Sequence, residues 1–102
     1  MIELKPGRSL SSQGISLTDT ESTTVLFKTS NYGLDSSYCA IVNDAATSIE
    51  IAFGGVEEDD PEPVYPDDYF TVHTNGNYEI PTSAFARKIK VWLRGDRVVI
   101  IY

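Results

Sequence analysis

The sequence predicts an all-β domain, built as a small antiparallel β-sandwich of the jelly-roll kind. Short segments rich in β-branched and aromatic residues alternate apolar and polar side chains with a period of two. Turn-forming residues separate these segments, and no long segment has the period of an amphipathic helix. The pattern indicates about eight short strands. With 102 residues, the chain has the length of a single domain.

The C-terminal residues 87–102 have the clearest strand pattern in the chain. Gly95 and Asp96 in the middle of this segment predict a type II′ turn, because glycine comes first in the pair. A two-residue turn sets the register of the strands on either side, so a β-hairpin is expected here. Its predicted cross-strand pairs, whose side chains all share one face, are Leu93 with Val98, Val91 with Ile100 and Ile89 with Tyr102.

The other face of this predicted hairpin is only half polar, and we predict that it is an interface. Successive side chains of a strand point to opposite faces, so its apolar residues need cover from this chain or another. A tryptophan with basic neighbours has the composition of an interface anchor with a polar rim. A Trp92→Ala variant is therefore expected to stay folded and to lose self-association or partner binding. The predicted interface residues are Lys90, Trp92, Arg94, Arg97, Val99 and Ile101.

Upstream of this segment, residues 23–29 and 38–54 predict further strands. Residues 38–43 and 47–54 are expected to pair as a hairpin around residues 44–46. A helix is the alternative, because Ile41, Ala45 and Ile49 are spaced by four residues. The β-branched run and Gly54-Gly55 favour the hairpin.

A second small hairpin is predicted from residues 69–73 and 77–80. Asn75-Gly76 between them is the strongest short turn signal in the chain. Pro81 is expected to end this hairpin, and residues 83–86 to form one helical turn or a corner that leads to the C-terminal strands.

Two segments are expected to lie outside the regular sheets. Residues 1–22 are expected to form an extended N-terminal arm. This arm either docks on a neighbouring protein or packs loosely on a single sandwich domain formed by residues 23–102. Residues 56–68 predict a long surface loop, because prolines interrupt any central strand. This loop also holds seven of the fifteen acidic residues, namely Glu57, Glu58, Asp59, Asp60, Glu62, Asp67 and Asp68.

The net charge of −7 opposes binding to phosphate backbones and to anionic lipid surfaces. The sequence also has no run of 18 apolar residues and no apolar core of a signal peptide near Met1. We therefore predict neither a nucleic-acid partner nor a membrane partner.

We predict no catalytic residue, no metal and no cofactor. The acidic loop lacks the ordered carboxylate spacing of an EF-hand calcium site. His73 is the only histidine; a Ser-His-Asp arrangement could be assembled in space, but the chain has no Gly-x-Ser-x-Gly elbow. One cysteine and one histidine are too few for a closed zinc site, and Cys39 in its apolar run is predicted to be a buried thiol.

Aromatic side chains suggest one binding activity, since exposed rings can stack on sugars. The alternative is that most of these rings line the core or a protein interface. The candidates are Tyr32, Tyr38, Tyr65, Tyr69 and Trp92.

Parts of the sequence resemble the small β-sandwich proteins that coat tailed-bacteriophage virions, in particular head decoration (cement) proteins. The resemblance covers residues 38–54 and 78–102, about two fifths of the chain. The acidic loop at 56–68 has no counterpart in that pattern. The segments that carry the resemblance are Ala40-Ile-Val-Asn43, Ser48-Ile-Glu-Ile-Ala-Phe-Gly-Gly55, Tyr78-Glu-Ile-Pro81 and residues 88–102.

The resemblance implies a non-enzymatic structural protein on the capsid surface of a virion. Such a protein binds where major capsid protein subunits meet, strengthens the shell and is often a homotrimer. Related phage sandwiches lie at the head–tail joint, in the tail or on fibres, which leaves a head–tail or tail structural role as an alternative. A carbohydrate-binding or host-attachment module is the other alternative.

Overall fold

The computed structural model describes residues 2–28, 38–56, 68–81 and 89–102, which form an all-β fold of two sheets. Sheet A has the strand order β1-β3-β8-β5-β6, and sheet B the order β2-β9-β4-β7. All strand pairs are antiparallel except β1 with β3. The strands are β1 Ile2–Leu4, β2 Ser12–Ser16, β3 Thr23–Phe27, β4 Ala40–Val42, β5 Ile49–Val56, β6 Phe70–Val72, β7 Asn77–Glu79, β8 Ile89–Arg94 and β9 Arg97–Ile101.

Consecutive strands lie in different sheets throughout the described chain, with the single exception of β5 and β6. The three hairpins expected from the sequence are therefore wrong. Their turns at 44–46, Asn75-Gly76 and Gly95-Asp96 are corners, at which the chain leaves one sheet and enters the other. The helix considered for residues 41–49 is also excluded, because this segment contains parts of β4 and β5.

The corner between β8 and β9 shows why a strong turn signal does not produce a hairpin here. Strand β8 pairs with β3 and β5 in sheet A, whereas β9 pairs with β2 and β4 in sheet B. The segment that follows β2 binds the corner itself: Leu17 N–H donates to Asp96 C=O at 2.7 Å, and Gly95 N–H donates to Thr18 C=O at 3.1 Å. The backbone groups of the corner are thus satisfied without pairing of β8 to β9.

Gly95 is required at this corner for two reasons. Its φ of 144° is unfavourable for any residue with a side chain. A Cβ built there would also lie 2.8 Å from Ile49 Cγ2, and Ile49 is completely buried.

We expect Gly95→Ala to lower the free energy of unfolding by about 1–3 kcal/mol, because it adds backbone strain and a steric clash in the core. Urea denaturation of both proteins measures this loss. Gly7→Ala is the matched control, since its Cβ would meet only Ser9 C=O, at an ordinary 3.8 Å. Equal stability of the Gly95 variant and the parent protein would contradict the corner geometry.

The core lies between the two sheets and is formed by the inward side chains of both. The inward residues predicted for the C-terminal segment are correct: Val91, Leu93, Val98 and Ile100 are at most 1% exposed and belong to the core. The prediction for β5 also holds, since Ile49 and Ile51 are in the core and Phe53 packs against it.

The predicted N-terminal arm is part of the domain. Residues 2–4 form an edge strand of sheet A and residues 12–16 an edge strand of sheet B. The side chains of Leu4, Ile15 and Leu17 belong to the core. Of the two predicted alternatives, docking on a neighbour or packing on the domain, the structure has the second: the few apolar residues of the arm are divided between two sheets that other segments build.

Asn43 joins the two corners that follow β4 and β6, and it is completely buried. Its Nδ2 donates to Thr47 C=O at 2.9 Å and to Val72 C=O at 3.0 Å, while its Oδ1 accepts from Ala45 N–H at 3.0 Å. Its backbone N–H donates to Gly76 C=O at 2.9 Å, and its C=O accepts from Asn75 N–H at 2.8 Å. One side chain therefore satisfies buried backbone groups of both corners.

Two further predictions concern residues outside the described part of the chain. These are the acidic loop, of which residues 57–67 are not described, and the helical turn or corner at residues 83–86.

Candidate functional surfaces

The six predicted interface residues do not share one surface. Because β8 and β9 lie in different sheets, Lys90, Trp92 and Arg94 occupy the outer face of sheet A. The remaining residues occupy the outer face of sheet B, on the opposite side of the sandwich; they are Arg97, Val99 and Ile101. The shared face predicted from the hairpin register is therefore wrong, and each outer face has its own chemistry.

Trp92 is covered by its own chain and is only 4% exposed. It lies in register with Thr24 of β3 and Ala52 of β5. Its Nε1 donates to Gly54 C=O on β5 at 2.8 Å, so the indole extends over the small residues of β5. Leu26 and Ala52, at 1% exposed each, are also buried on this face, outside the main core. Trp92 is thus a structural residue of sheet A, and the exposed patch predicted around it is absent.

A pocket of about 470 Å³ opens on the same outer face, and the nearly buried Trp92 is one of the residues that line it. This volume is in the range of small-molecule sites. Side chains from four parts of the chain meet there: the segment before β3, strand β3 itself, the residue before β6 and strand β8. The lining residues are Thr20, Glu21, Ser22, Thr24, Tyr69, Trp92 and Arg94.

Arg94 forms one wall of the pocket and has two partners. Its Nη2 donates to Glu50 Oε2 at 2.8 Å, and its guanidinium carbon lies 3.6 Å from the centroid of the Tyr69 ring. The hydrogen bond to Glu50 raises the pKa of Arg94, whose guanidinium is positively charged at neutral pH. The positive charge is balanced by Glu50 and fixed in position by the aromatic ring.

Tyr69 closes the pocket from the edge of sheet A. Its hydroxyl lies 2.7 Å from Ser22 Oγ, and either oxygen can be the donor. Whichever hydroxyl donates, the hydrogen of the other one remains for a third group. The Ser22 and Tyr69 pair can thus offer one donor to a ligand or to water.

The rim of the pocket is fixed by local hydrogen bonds. Thr18 Oγ1 donates to Glu21 C=O at 2.8 Å and accepts from Glu21 N–H at 3.2 Å. This closed turn holds residues 20–22 over the outer face of β3.

The outer face of sheet B is different, because three partly exposed apolar side chains lie together on its two central strands, between edge strands that carry polar residues such as Ser12 and Asn77. Val42 of β4 is paired with Val99 of β9, and the next pair on the same face of these strands is Ala40 with Ile101. Val42, Val99 and Ile101 are each partly exposed. On the β2 side, Ser12 is paired with Ile101 and Gly14 with Val99. We call the area formed by Val42, Val99 and Ile101 the sheet B patch.

Arg97 lies at one end of the sheet B patch. Its Nε is 3.0 Å from Asp44 Oδ1, and both side chains are nearly half exposed. An exposed pair of this kind contributes little to stability. It gives the apolar patch a polar boundary instead.

Of the residues considered for catalysis or metal binding, the described ones include His73, Cys39 and Asp68. His73 is exposed at the corner after β6, and within the described residues no group of three or more His, Cys, Asp and Glu side chains could hold a metal ion. Cys39 is buried, as predicted, and burial raises the pKa of its thiol to about 12. A thiol of this kind is inert at neutral pH. No helix in the described ranges is long and apolar enough to cross a membrane.

Sequence reasoning found only part of the pocket. Tyr69 and Trp92 were candidates for sugar stacking, and the structure places them in the same pocket. Tyr38 is 39% exposed beside β4 of sheet B, and Tyr32 and Tyr65 are outside the described residues. The hydroxyl and carboxylate residues of the rim carried no sequence signal, because they are ordinary loop residues. Ser22, for example, lies 47 positions from Tyr69 along the chain.

The chain was compared with protein-family models, with curated proteins and with solved structures, and it matches none of them.

Proposed function

We propose that this protein is a non-enzymatic structural protein of a tailed-bacteriophage virion, which decorates and stabilises the capsid by binding major capsid protein subunits. The observation that carries the proposal is the sheet B patch, three partly exposed apolar side chains on adjacent central strands. Apolar side chains grouped on an outer sheet face suit a protein partner. The all-β sandwich agrees with the fold that the sequence resemblance implies.

The binding mode follows from the chemistry of the patch. Val42, Val99 and Ile101 present apolar area that a second protein surface would remove from water, which is the main favourable contribution to association. The neighbouring Arg97–Asp44 pair provides the polar boundary that interfaces have around their apolar centre. The capsid lattice would hold several copies close together, in line with the proposed homo-oligomer, a trimer by the resemblance.

Mass spectrometry of purified particles tests the proposed location. Phage particles released by cells that carry the gene should contain this chain at a copy number comparable to that of the major capsid protein. A copy number of only a few per particle would instead indicate a head–tail or tail position. Complete absence from the particles would refute the virion role.

Val99→Lys tests the binding surface, since it places a charge at the centre of the sheet B patch. We expect it to weaken binding to undecorated heads at least about tenfold while the protein stays folded. Co-sedimentation with these heads measures binding, and thermal melting checks the fold. Thr71→Lys is the matched control, on an exposed position of the outer face of sheet A. Equal binding by both variants would exclude the sheet B patch as the docking surface.

A further inference from the structure

The pocket on sheet A is not explained by capsid binding, because it lies on the opposite side of the sandwich from the sheet B patch. We propose that this pocket binds a neutral saccharide. The inference is independent of the proposed virion role and depends on the lining of the pocket alone.

The hydroxyl groups of the lining indicate the chemistry of the ligand. Thr20, Ser22, Thr24 and Tyr69 each carry a hydroxyl, which can donate one hydrogen bond and accept others. A ligand whose own groups are hydroxyls can satisfy such a lining in either direction. The contact between Ser22 and Tyr69 leaves one O–H hydrogen for that purpose. A saccharide is the common biological ligand that carries hydroxyls on most of its ring carbons.

The charges of the lining exclude a strongly charged ligand. Among the lining residues that the structure describes, Arg94 is the only cation, and it is already paired with Glu50 at 2.8 Å and covered by the ring of Tyr69. Glu21 brings a negative charge to the rim. An anion would meet Glu21 and a compensated arginine, whereas a cation would meet the guanidinium, so a neutral ligand has the lowest electrostatic cost.

Trp92 lines the pocket but is only 4% exposed, so it offers a ligand little contact area. Its hydrogen bond to Gly54 C=O holds the indole in one orientation, so its position does not have to be ordered on binding. The volume of about 470 Å³ is sufficient for a small ligand of this kind.

Trp92 also makes the test direct, because it is the only tryptophan of the chain and its fluorescence reports on the pocket. The protein is titrated with glucose, galactose, mannose, N-acetylglucosamine and maltotriose, and with N-acetylneuraminic acid and sodium sulfate as charged probes. We expect at least one neutral sugar to change the fluorescence of Trp92 saturably, and to shift the backbone amide NMR signals of residues 20–24. We expect neither charged probe to do so.

Variants of the lining decide whether the pocket is responsible. Thr24→Val keeps the shape of the side chain and removes its hydroxyl, so affinity for the active sugar should fall about threefold to tenfold. Tyr69→Phe should cause a similar loss of affinity, and it replaces Thr24→Val in the test if that variant unfolds. Thr71→Val is the control on the same face of the sheet, and it should bind as the parent protein does. Thermal melts establish that each variant is folded.

The proposal is overturned by any of three results: no neutral sugar changes the signals, a charged probe binds more tightly than every neutral sugar, or folded Thr24→Val and Tyr69→Phe both bind with unchanged affinity. None of these results bears on the location of the protein in particles, so the two proposals fail separately.

Discussion

Trp92→Ala is expected to lower the free energy of unfolding by about 3–5 kcal/mol, the usual cost of removing a large buried aromatic side chain. The indole is 4% exposed, spans the outer face of sheet A and donates a hydrogen bond to Gly54 C=O. Its loss would leave a cavity above Ala52 and an unpaired carbonyl on β5. Because small domains are marginally stable, a large part of the folded population would be lost on warming. Urea denaturation and thermal melting measure the effect.

This expectation reverses the one drawn from the hairpin pattern, in which Trp92→Ala left the domain folded. Trp92→Phe separates the two contributions of the residue, because it keeps most of the ring and removes the N–H donor. We expect a smaller loss for this variant, of about 1–2 kcal/mol. If Trp92→Ala melts like the parent protein while its self-association is lost, Trp92 is an interface residue and its burial in the monomer is wrong.

Asn43→Ala is expected to lower the free energy of unfolding by about 3 kcal/mol, since three hydrogen bonds of the side chain are lost and two of them are buried. Ala45 N–H and Val72 C=O would each lose a partner in a buried environment, and Thr47 C=O would lose one at a partly buried position. The corners after β4 and β6 would separate first, because this side chain connects them. Hydrogen exchange of the Ala45 and Asn75 amides should accelerate along with the loss of stability.

Asn77→Ala is the matched control for this substitution. Asn77 is exposed, and its position opposite Val42 on the outer face of sheet B depends on backbone pairing alone. A surface change of this kind costs at most about 0.5 kcal/mol. Similar stability losses for the Asn43 and Asn77 variants would show that Asn43 does not join the corners.

The candidate site was predictable only where a residue type carries its own signal. Tyr69 and Trp92 stood out as aromatic residues, and Arg94 as a basic neighbour of the tryptophan. Glu50 and Ser22 had no such signal, because their roles depend on Arg94 and Tyr69, which lie 44 and 47 positions away in the chain. Distant polar contacts leave no periodic trace in a sequence, unlike the alternation of a strand.

The sequence by itself determined the all-β class, the positions of most strands, the inward side chains and the burial of Cys39. These features depend on local alternation, which is the same whether a strand pairs with its chain neighbour or with a distant segment. Only the tertiary structure decided the pairing. Gly95-Asp96 and Asn75-Gly76 specify sharp bends, but a bend is compatible both with a hairpin and with a corner between sheets. The choice was made by partners far away in sequence: β3 and β5 bind β8, β2 and β4 bind β9, and residues 17–18 satisfy the backbone between them.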